Sequence, residues 1–278
     1  MTIAVGFRCV DGVVLAADSQ YTEGLAKLYG QKIFPIPSNS YYALTIAGSG
    51  AVPSLKGIVG QIEEKLQQQI GAKSTSFSAL KSIVEEVLRT YYPKHIDSAP
   101  KAKRDDLEVQ LLVAAWVAGH GTRLFETYRT FVTEVAQHRS IGAGSLLVEF
   151  LRKTLLPPSG RPSVEVAKPL AAYMVWAARE FVQFCGGRTF VRALLNNGTD
   201  RRVWSEEIRE AEEYFQDFFN NLAYLRRLLD TAVAPGDVDI GPYSELLKDK
   251  LVEFKQKQKT YIDRQDQNRI GFHPKQPA

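Results

Sequence analysis

Asp11-Gly12 sits between two β-forming runs at the very start of the chain, Ile3 to Arg8 and Val13 to Ala17. An Asp-Gly pair in that setting predicts a tight β-hairpin. The first residues are then committed to a sheet, not to a free tail. Apolar residues fill the second arm, Gly12-Val13-Val14-Leu15-Ala16-Ala17, which predicts burial on both faces. That arm delivers Asp18 at its end. A carboxylate leaving a buried strand is either a turn residue or a placed catalytic group, and taken alone the turn explains it.

Thr2 changes the reading. Removal of Met1, which a small following side chain permits, would make Thr2 the N-terminal residue. It would then carry a hydroxyl and an α-amine together. The amine has a reference pKa of about 7.7–8.0, so much of it is neutral near pH 7 and can act as a base. That is the threonine form of an activated N-terminal nucleophile. A nearby lysine would favour the free amine, and a carboxylate would hold the lysine. Lys32, in Gln31-Lys32-Ile33-Phe34-Pro35-Ile36, and Asp18 are the candidates.

These segments, with Ile46-Ala47-Gly48, together resemble the opening of a proteasome β-type subunit. Gln20, two residues past Asp18, is similar to the version of the motif in the bacterial HslV peptidase. Both are N-terminal nucleophile (Ntn) hydrolases. The Thr2-to-Asp18 spacing matches the family's, and the Asp18-to-Lys32 spacing is slightly shorter. The resemblance implies an α+β fold, a four-layer αββα sandwich, in which Thr2 is the nucleophile, Lys32 and Asp18 support it, and the Gly48 N–H stabilises the oxyanion. It implies that Tyr21, Thr22, Gly30, Ile46, Gly50 and Ser54 line the substrate pocket. Two glycines and Ile46 would favour uncharged, hydrophobic side chains. It further implies a homo-oligomeric ring acting on peptides or unfolded proteins, with an ATP-dependent unfoldase as a possible partner.

Composition narrows the alternatives. The 278 residues suit one domain with an extension or two small domains, and no apolar run approaches the ~18 residues of a membrane span. No basic-then-apolar signal segment precedes Thr2, so a cytoplasmic location is expected. Two cysteines, Cys9 and Cys185, are too few for a disulfide framework. A net charge of +4 with no basic motif gives no basis for nucleic-acid binding. The histidines lack motif partners, so no metal site and no cofactor are assigned.

Along the chain, Tyr21-Thr22-Glu23-Gly24 reads as loop, followed by a short strand to Ile36 and another from Tyr41 to Ala47. Apolar spacing predicts helices over Val52–Ile70 and from Phe77 to a stop at Pro93. The charged stretch 94–106 reads as a solvated loop. Strands resume at Val109–Val117, Arg123–Tyr128 and Phe131–Ala136, then helices at Leu146–Leu156 and Val164–Phe184. A last hairpin, from Phe190 to Trp204, closes the Ntn-like domain, residues 1–204. Residues 205–265 read as a helical extension (Glu206–Leu229 and Tyr243–Asp263), and 266–278 as a disordered tail.

One departure from the family stands out. Its members commonly place a serine, an aspartate and a second serine around the nucleophile's amine. This chain has Ala143, Val182 and Cys185 at the corresponding places. Ser145 is close enough in sequence to replace the first serine, or simply to cap a helix. Three readings follow: a threonine peptidase, a weak or inactive scaffold subunit that keeps Met1, and an Ntn amidase for a small non-peptide amide.

Overall fold

The computed structural model describes residues 2–23, 26–70, 73–156 and 160–232, with 252 and 256 as single positions. Internal packing divides the chain into two units, Met1–Ile208 and Arg209–Ala278. The first unit is built on two five-stranded antiparallel sheets. One contains β1 (Ile3–Arg8), β2 (Gly12–Ala17), β10 (His138–Gly142), β11 (Phe190–Leu195) and β12 (Asp200–Arg202), in the order β10-β1-β2-β11-β12. The other runs β5-β6-β7-β8-β9, namely Ile33–Ile36, Tyr42–Gly50, Val109–Val117, Gly121–Tyr128 and Phe131–Val135.

Alternation along the strands explains the layering. On β2, Val13, Leu15 and Ala17 enter a core shared with Ala43 and Ala47 of β6 and with Leu112 and Ala114 of β7. Small alanines on both sides let the two sheets approach closely. The opposite face of β6, with Tyr42, Leu44 and Ile46, packs on α1 (Val52–Gln69) and α2 (Phe77–Tyr91). Helix α2 buries Leu80, Ile83, Val84, Val87 and Leu88, the stripe expected of a 3.6-residue period. Its N-terminus is capped by Ser76, whose side chain accepts the Ala79 N–H. On the other side, α5 (Val164–Phe181) packs against β1, β2 and β11, and α4 (Ser145–Leu155) against β10. The result is the four-layer αββα sandwich.

Several local expectations need correction. Tyr21–Glu23, expected as loop, lie instead in β3 (Gln20–Glu23), which pairs antiparallel with β4 (Ala26–Tyr29). Pro93 does not stop the chain's helical course, which continues as a π-helical turn over Tyr92–Asp97 with Pro93 in its first turn. The proline's missing N–H costs little there. The charged stretch then carries α3 (Lys101–Leu107). Arg129 at the β8–β9 turn pairs with Asp97 at 2.5 Å, tying this segment to the sheet. The histidine-led strand β10 was invisible in the sequence pattern. Its His138 meets Glu149 of α4 at 2.9 Å.

The first helix of the extension is α6, Ser205–Ala232. Its first turn is tied to α5 through Lys168, which meets Glu165 at 2.9 Å and Glu207 at 2.8 Å. Within the second unit, Tyr214–Phe215 and Phe218–Phe219 make edge-on ring pairs. The expected second helix and the tail lie outside the described residues, save those two single positions. No helix among the described residues is long and apolar enough to cross a membrane.

Candidate active site

Strand β1 starts immediately after Thr2, and β2 ends immediately before Asp18. Antiparallel pairing in the register Ala4↔Ala17 therefore brings both residues to the same end of the hairpin. The Thr2 hydroxyl donates to Asp18 Oδ1, and the Ile3 N–H reaches the same oxygen at 3.2 Å. Asp18 Oδ2 accepts the Gly186 N–H at 3.0 Å. The carboxylate is thus held by three donors before any charge is considered.

Lys32 comes from the facing sheet, one residue ahead of β5. Its Nζ lies 2.6 Å from Asp18 Oδ1 and donates to the Thr2 hydroxyl oxygen and the Gln20 carbonyl. An ammonium has three hydrogens, and three acceptors meet them. Thr2 is 1 % exposed, and Asp18 and Lys32 are 0 % exposed. Burial pushes the Lys32 ammonium below its ordinary pKa, with the Asp18 carboxylate opposing that fall. The lysine is therefore easier to deprotonate than one in water, yet held by its counter-ion.

The backbone fits closely around Thr2. The Ala143 N–H donates to the Thr2 carbonyl at 2.8 Å. Gly142 reaches this place with φ +94°, and a Cβ there would lie 2.1 Å from the Thr2 carbonyl oxygen and 2.6 Å from Ser49 Oγ. Glycine is required on both counts. Ser49 shares the face of β6 that carries Ala43 and Ala47, which turns it toward this neighbourhood.

The other expected residues divide. Tyr21 packs over Gly30, where an added Cβ would sit 2.9 Å from the ring. Thr22 stands in β3 opposite Lys27, its side chain outside the described residues. Ile46 is 0 % exposed in the core beneath α1 and α2. Ser54 is buried in α1. Gly50 has φ +123° and abuts the Glu108 carbonyl, so backbone geometry accounts for it. The Gly48 N–H is already donated to the Lys32 carbonyl at 3.0 Å. An added Cβ at Gly48 would stand 2.2 Å from Leu55 Cδ2, so helix packing alone demands that glycine.

Ser145 opens α4, but Gly144 occupies the N-cap and no side chain caps the helix. Among the described residues its hydroxyl makes no hydrogen bond to Thr2, Asp18 or Lys32. Ala143 and Cys185 do sit at the site. The Cys185 thiol is pushed up to about 11, by burial first and by Asp18 second, against the pull of Lys32 and a Gly144 N–H. A neutral thiol thus packs beside the ion pair. Three contributors were not assigned from the sequence: the Gly186 N–H, the Gln20 carbonyl and Ser49. The first two act through the backbone, which leaves no side-chain signature.

A cavity of 210 Å³ lies at the far end of β5, lined by Ile36, Asn39, Tyr42 and Leu66 among others. It shares no residue with the Thr2 cluster.

The fold has close counterparts of known structure. Anbu (ancestral beta-subunit) from Yersinia bercovieri superposes with a TM-score of 0.67 at 15% identity, covering 84% of this chain and 98% of that one. Anbu in a helical assembly from Pseudomonas aeruginosa gives 0.67 at 16% identity, with 84% and 98% covered. A Gly-1 mutant of Anbu from Hyphomicrobium sp. strain MC1 gives 0.65 at 16%, with 86% and 100% covered. At such identities the likeness is one of fold. No curated protein matches in sequence. The proteasome subunit family model matches residues 2–180, well over half of the chain, and the protein belongs to the proteasome subunit family.

Proposed function

We propose that the chain is a threonine-type peptidase whose nucleophile is Thr2 once Met1 has been removed. The observation that carries this reading is the buried Thr2–Lys32–Asp18 cluster, in which a hydroxyl oxygen lies against both a lysine ammonium and its counter-ion. Thr2 Oγ1 attacks the carbonyl carbon of a peptide bond as its proton passes to the Thr2 α-amine. Lys32 lowers the energy of the developing alkoxide and disfavours a charged amine. Asp18 keeps Lys32 in place. The tetrahedral adduct collapses as the amine returns the proton to the leaving nitrogen. Water then hydrolyses the Thr2 ester.

The Gly48 N–H serves as oxyanion donor only by sharing or leaving its bond to the Lys32 carbonyl. Substrate docking along β6 is the event that would release it. Tyr21, Gly30, Gly50 and Ser54 belong to the substrate side in this reading. Peptides or unfolded proteins are the substrates, a cytoplasmic homo-oligomeric ring the working form, and an ATP-dependent unfoldase the supplier. Family membership and the apolar and aromatic residues of α6 favour assembly.

Thr2→Ala tests the mechanism. It should abolish hydrolysis of a fluorogenic peptide while leaving the fold and oligomeric mass intact. Undiminished turnover would refute the assignment. A second reading, a scaffold subunit without turnover, is favoured by the engaged Gly48 N–H and by Ala143 and Cys185, which bring no charged side chain to the nucleophile. Wild-type protein with a free Thr2 amine and no hydrolysis of any peptide in a diverse library would establish it.

A further inference from the structure

Asp18 supports Thr2 and Lys32 only while its two carboxylate oxygens keep separate partners. Oδ1 takes the Lys32 ammonium at 2.6 Å, and Oδ2 takes the Gly186 N–H at 3.0 Å. These partners come from segments far apart in the chain, one leading into β5 and the other lying between α5 and β11. The second is intrinsically loose. It contains the pair Gly186-Gly187, and glycine loses more conformational freedom on ordering than any other residue. Such a turn aims its N–H in one direction only when it is pinned on both sides. Upstream, the Cys185 N–H donates to the Val182 carbonyl at 3.2 Å. Downstream, the Arg188 N–H donates to Ser19 Oγ at 2.7 Å.

Ser19 is buried, directly follows Asp18 and reaches both of the segments that hold it. Its carbonyl accepts the Gly30 N–H at 2.9 Å, two residues before Lys32. Its hydroxyl accepts the Arg188 N–H, two residues after Gly186. The Gln20 N–H adds a bond to the Gly186 carbonyl at 3.0 Å. The fit is close. Gly187 has φ +78°, and an added Cβ there would stand 2.2 Å from Ser19 Oγ and 2.8 Å from the Tyr29 ring. Strand pairing does not account for the hydroxyl, because β2 ends at Ala17 and β3 begins at Gln20. Any residue could supply the carbonyl that meets Gly30. Only the bond from Arg188 needs a serine side chain.

Resting on the threonine-nucleophile reading above, we propose that Ser19 is a positioning residue for the hydrolysis: its hydroxyl pins turn 185–188, so that the Gly186 N–H fixes Asp18 against Lys32 and Thr2. Ser19 acts through Gly186 and Asp18, and among the described residues its hydroxyl makes no hydrogen bond to Thr2 or Lys32. Without that hydroxyl the glycine pair swings and releases Oδ2. The carboxylate then turns about its Cβ–Cγ bond, which shifts the acceptor of the Thr2 hydroxyl and the counter-ion of Lys32 together. A misplacement of about 1 Å at a reacting group costs about a hundredfold in rate.

The test compares Ser19→Ala and Ser19→Thr with wild type, each as the full chain with a free Thr2 amine. Hydrolysis of a fluorogenic peptide gives kcat and KM, and hydrogen exchange read by mass spectrometry gives local opening. Ser19→Ala should lower kcat about ten- to a hundredfold and leave KM within about twofold. Exchange at Gly186 and Arg188 should speed at least about tenfold while β1 and β2 exchange as in wild type. Ser19→Thr keeps the acceptor and should restore both. Gly187→Ala pushes the turn off the same hydroxyl from the other side and should reproduce the loss of kcat. Wild-type kcat in Ser19→Ala or Gly187→Ala overturns the proposal. So does faster exchange across the whole sandwich, which marks a plain loss of stability, or a Ser19→Thr protein as slow as Ser19→Ala. Wild type that hydrolyses no peptide removes the peptidase reading and with it the role in hydrolysis. Exchange at Gly186 then decides separately whether Ser19 fixes Asp18, and unchanged exchange in Ser19→Ala overturns that too.

Discussion

Lys32→Met is the most informative single change. It replaces a 0 % exposed ammonium with an apolar chain of similar length and strands the 0 % exposed Asp18 without a counter-ion. Breaking a buried pair by removing one partner costs about 3–5 kcal/mol. Asp18 keeps the Thr2 hydroxyl and the N–H groups of Ile3 and Gly186, so the loss should fall near the lower end, about 3 kcal/mol. Against a typical stability of about 5–15 kcal/mol the variant still folds. Adding Asp18→Asn removes the stranded charge, so the double variant should recover more than half of that loss. Urea unfolding at fixed protein concentration, followed by tryptophan fluorescence, supplies both numbers. The pH dependence supplies a further check. Lys32's folded pKa is lowered, so between that value and the unfolded value of about 10.4 the unfolded chain binds more protons. Its contribution to stability therefore rises with pH across that window. The difference between wild type and Lys32→Met should widen there as pH climbs. A single-variant loss below about 1 kcal/mol, or a double variant that simply adds the two single losses, would refute the picture of a coupled buried pair.

Gly142→Ala should cost about 2–3 kcal/mol, because φ +94° and the 2.1 Å approach to the Thr2 carbonyl both oppose a side chain; calorimetry showing an unchanged Tm would contradict it. Burial holds Cys9 at about 12 and Cys185 at about 11, so neither thiol should react with a thiol reagent at pH 8 until urea is added, when both should titrate. Fast labelling of native protein would show that the site is open. Truncation after Ile208, where the first unit ends, should leave the sandwich folded and reduce the oligomeric mass measured by light scattering. Retention of full mass would remove α6 from the assembly.

What the sequence determined by itself was the order and character of the strands that build the site. Asp11-Gly12 and the apolar arm after it were enough to predict the β1–β2 hairpin, because a β-forming run and a tight turn are local properties. The hairpin also made the Thr2-to-Asp18 spacing meaningful, since pairing returns the chain to its starting end. The helices α1, α2 and α5 were legible from the same kind of local signal. Lys32 was a candidate from the chemistry of the amine and from the resemblance, but only the facing of two sheets carries its Nζ across to Thr2. Tertiary structure alone decided that Ile46 and Gly48 serve the α1 interface, that Gly48 N–H is spent on the Lys32 carbonyl, and that Gly186 holds Asp18. These are backbone bonds and packing contacts between segments far apart in the chain. Residue type does not record which neighbour a backbone N–H will meet.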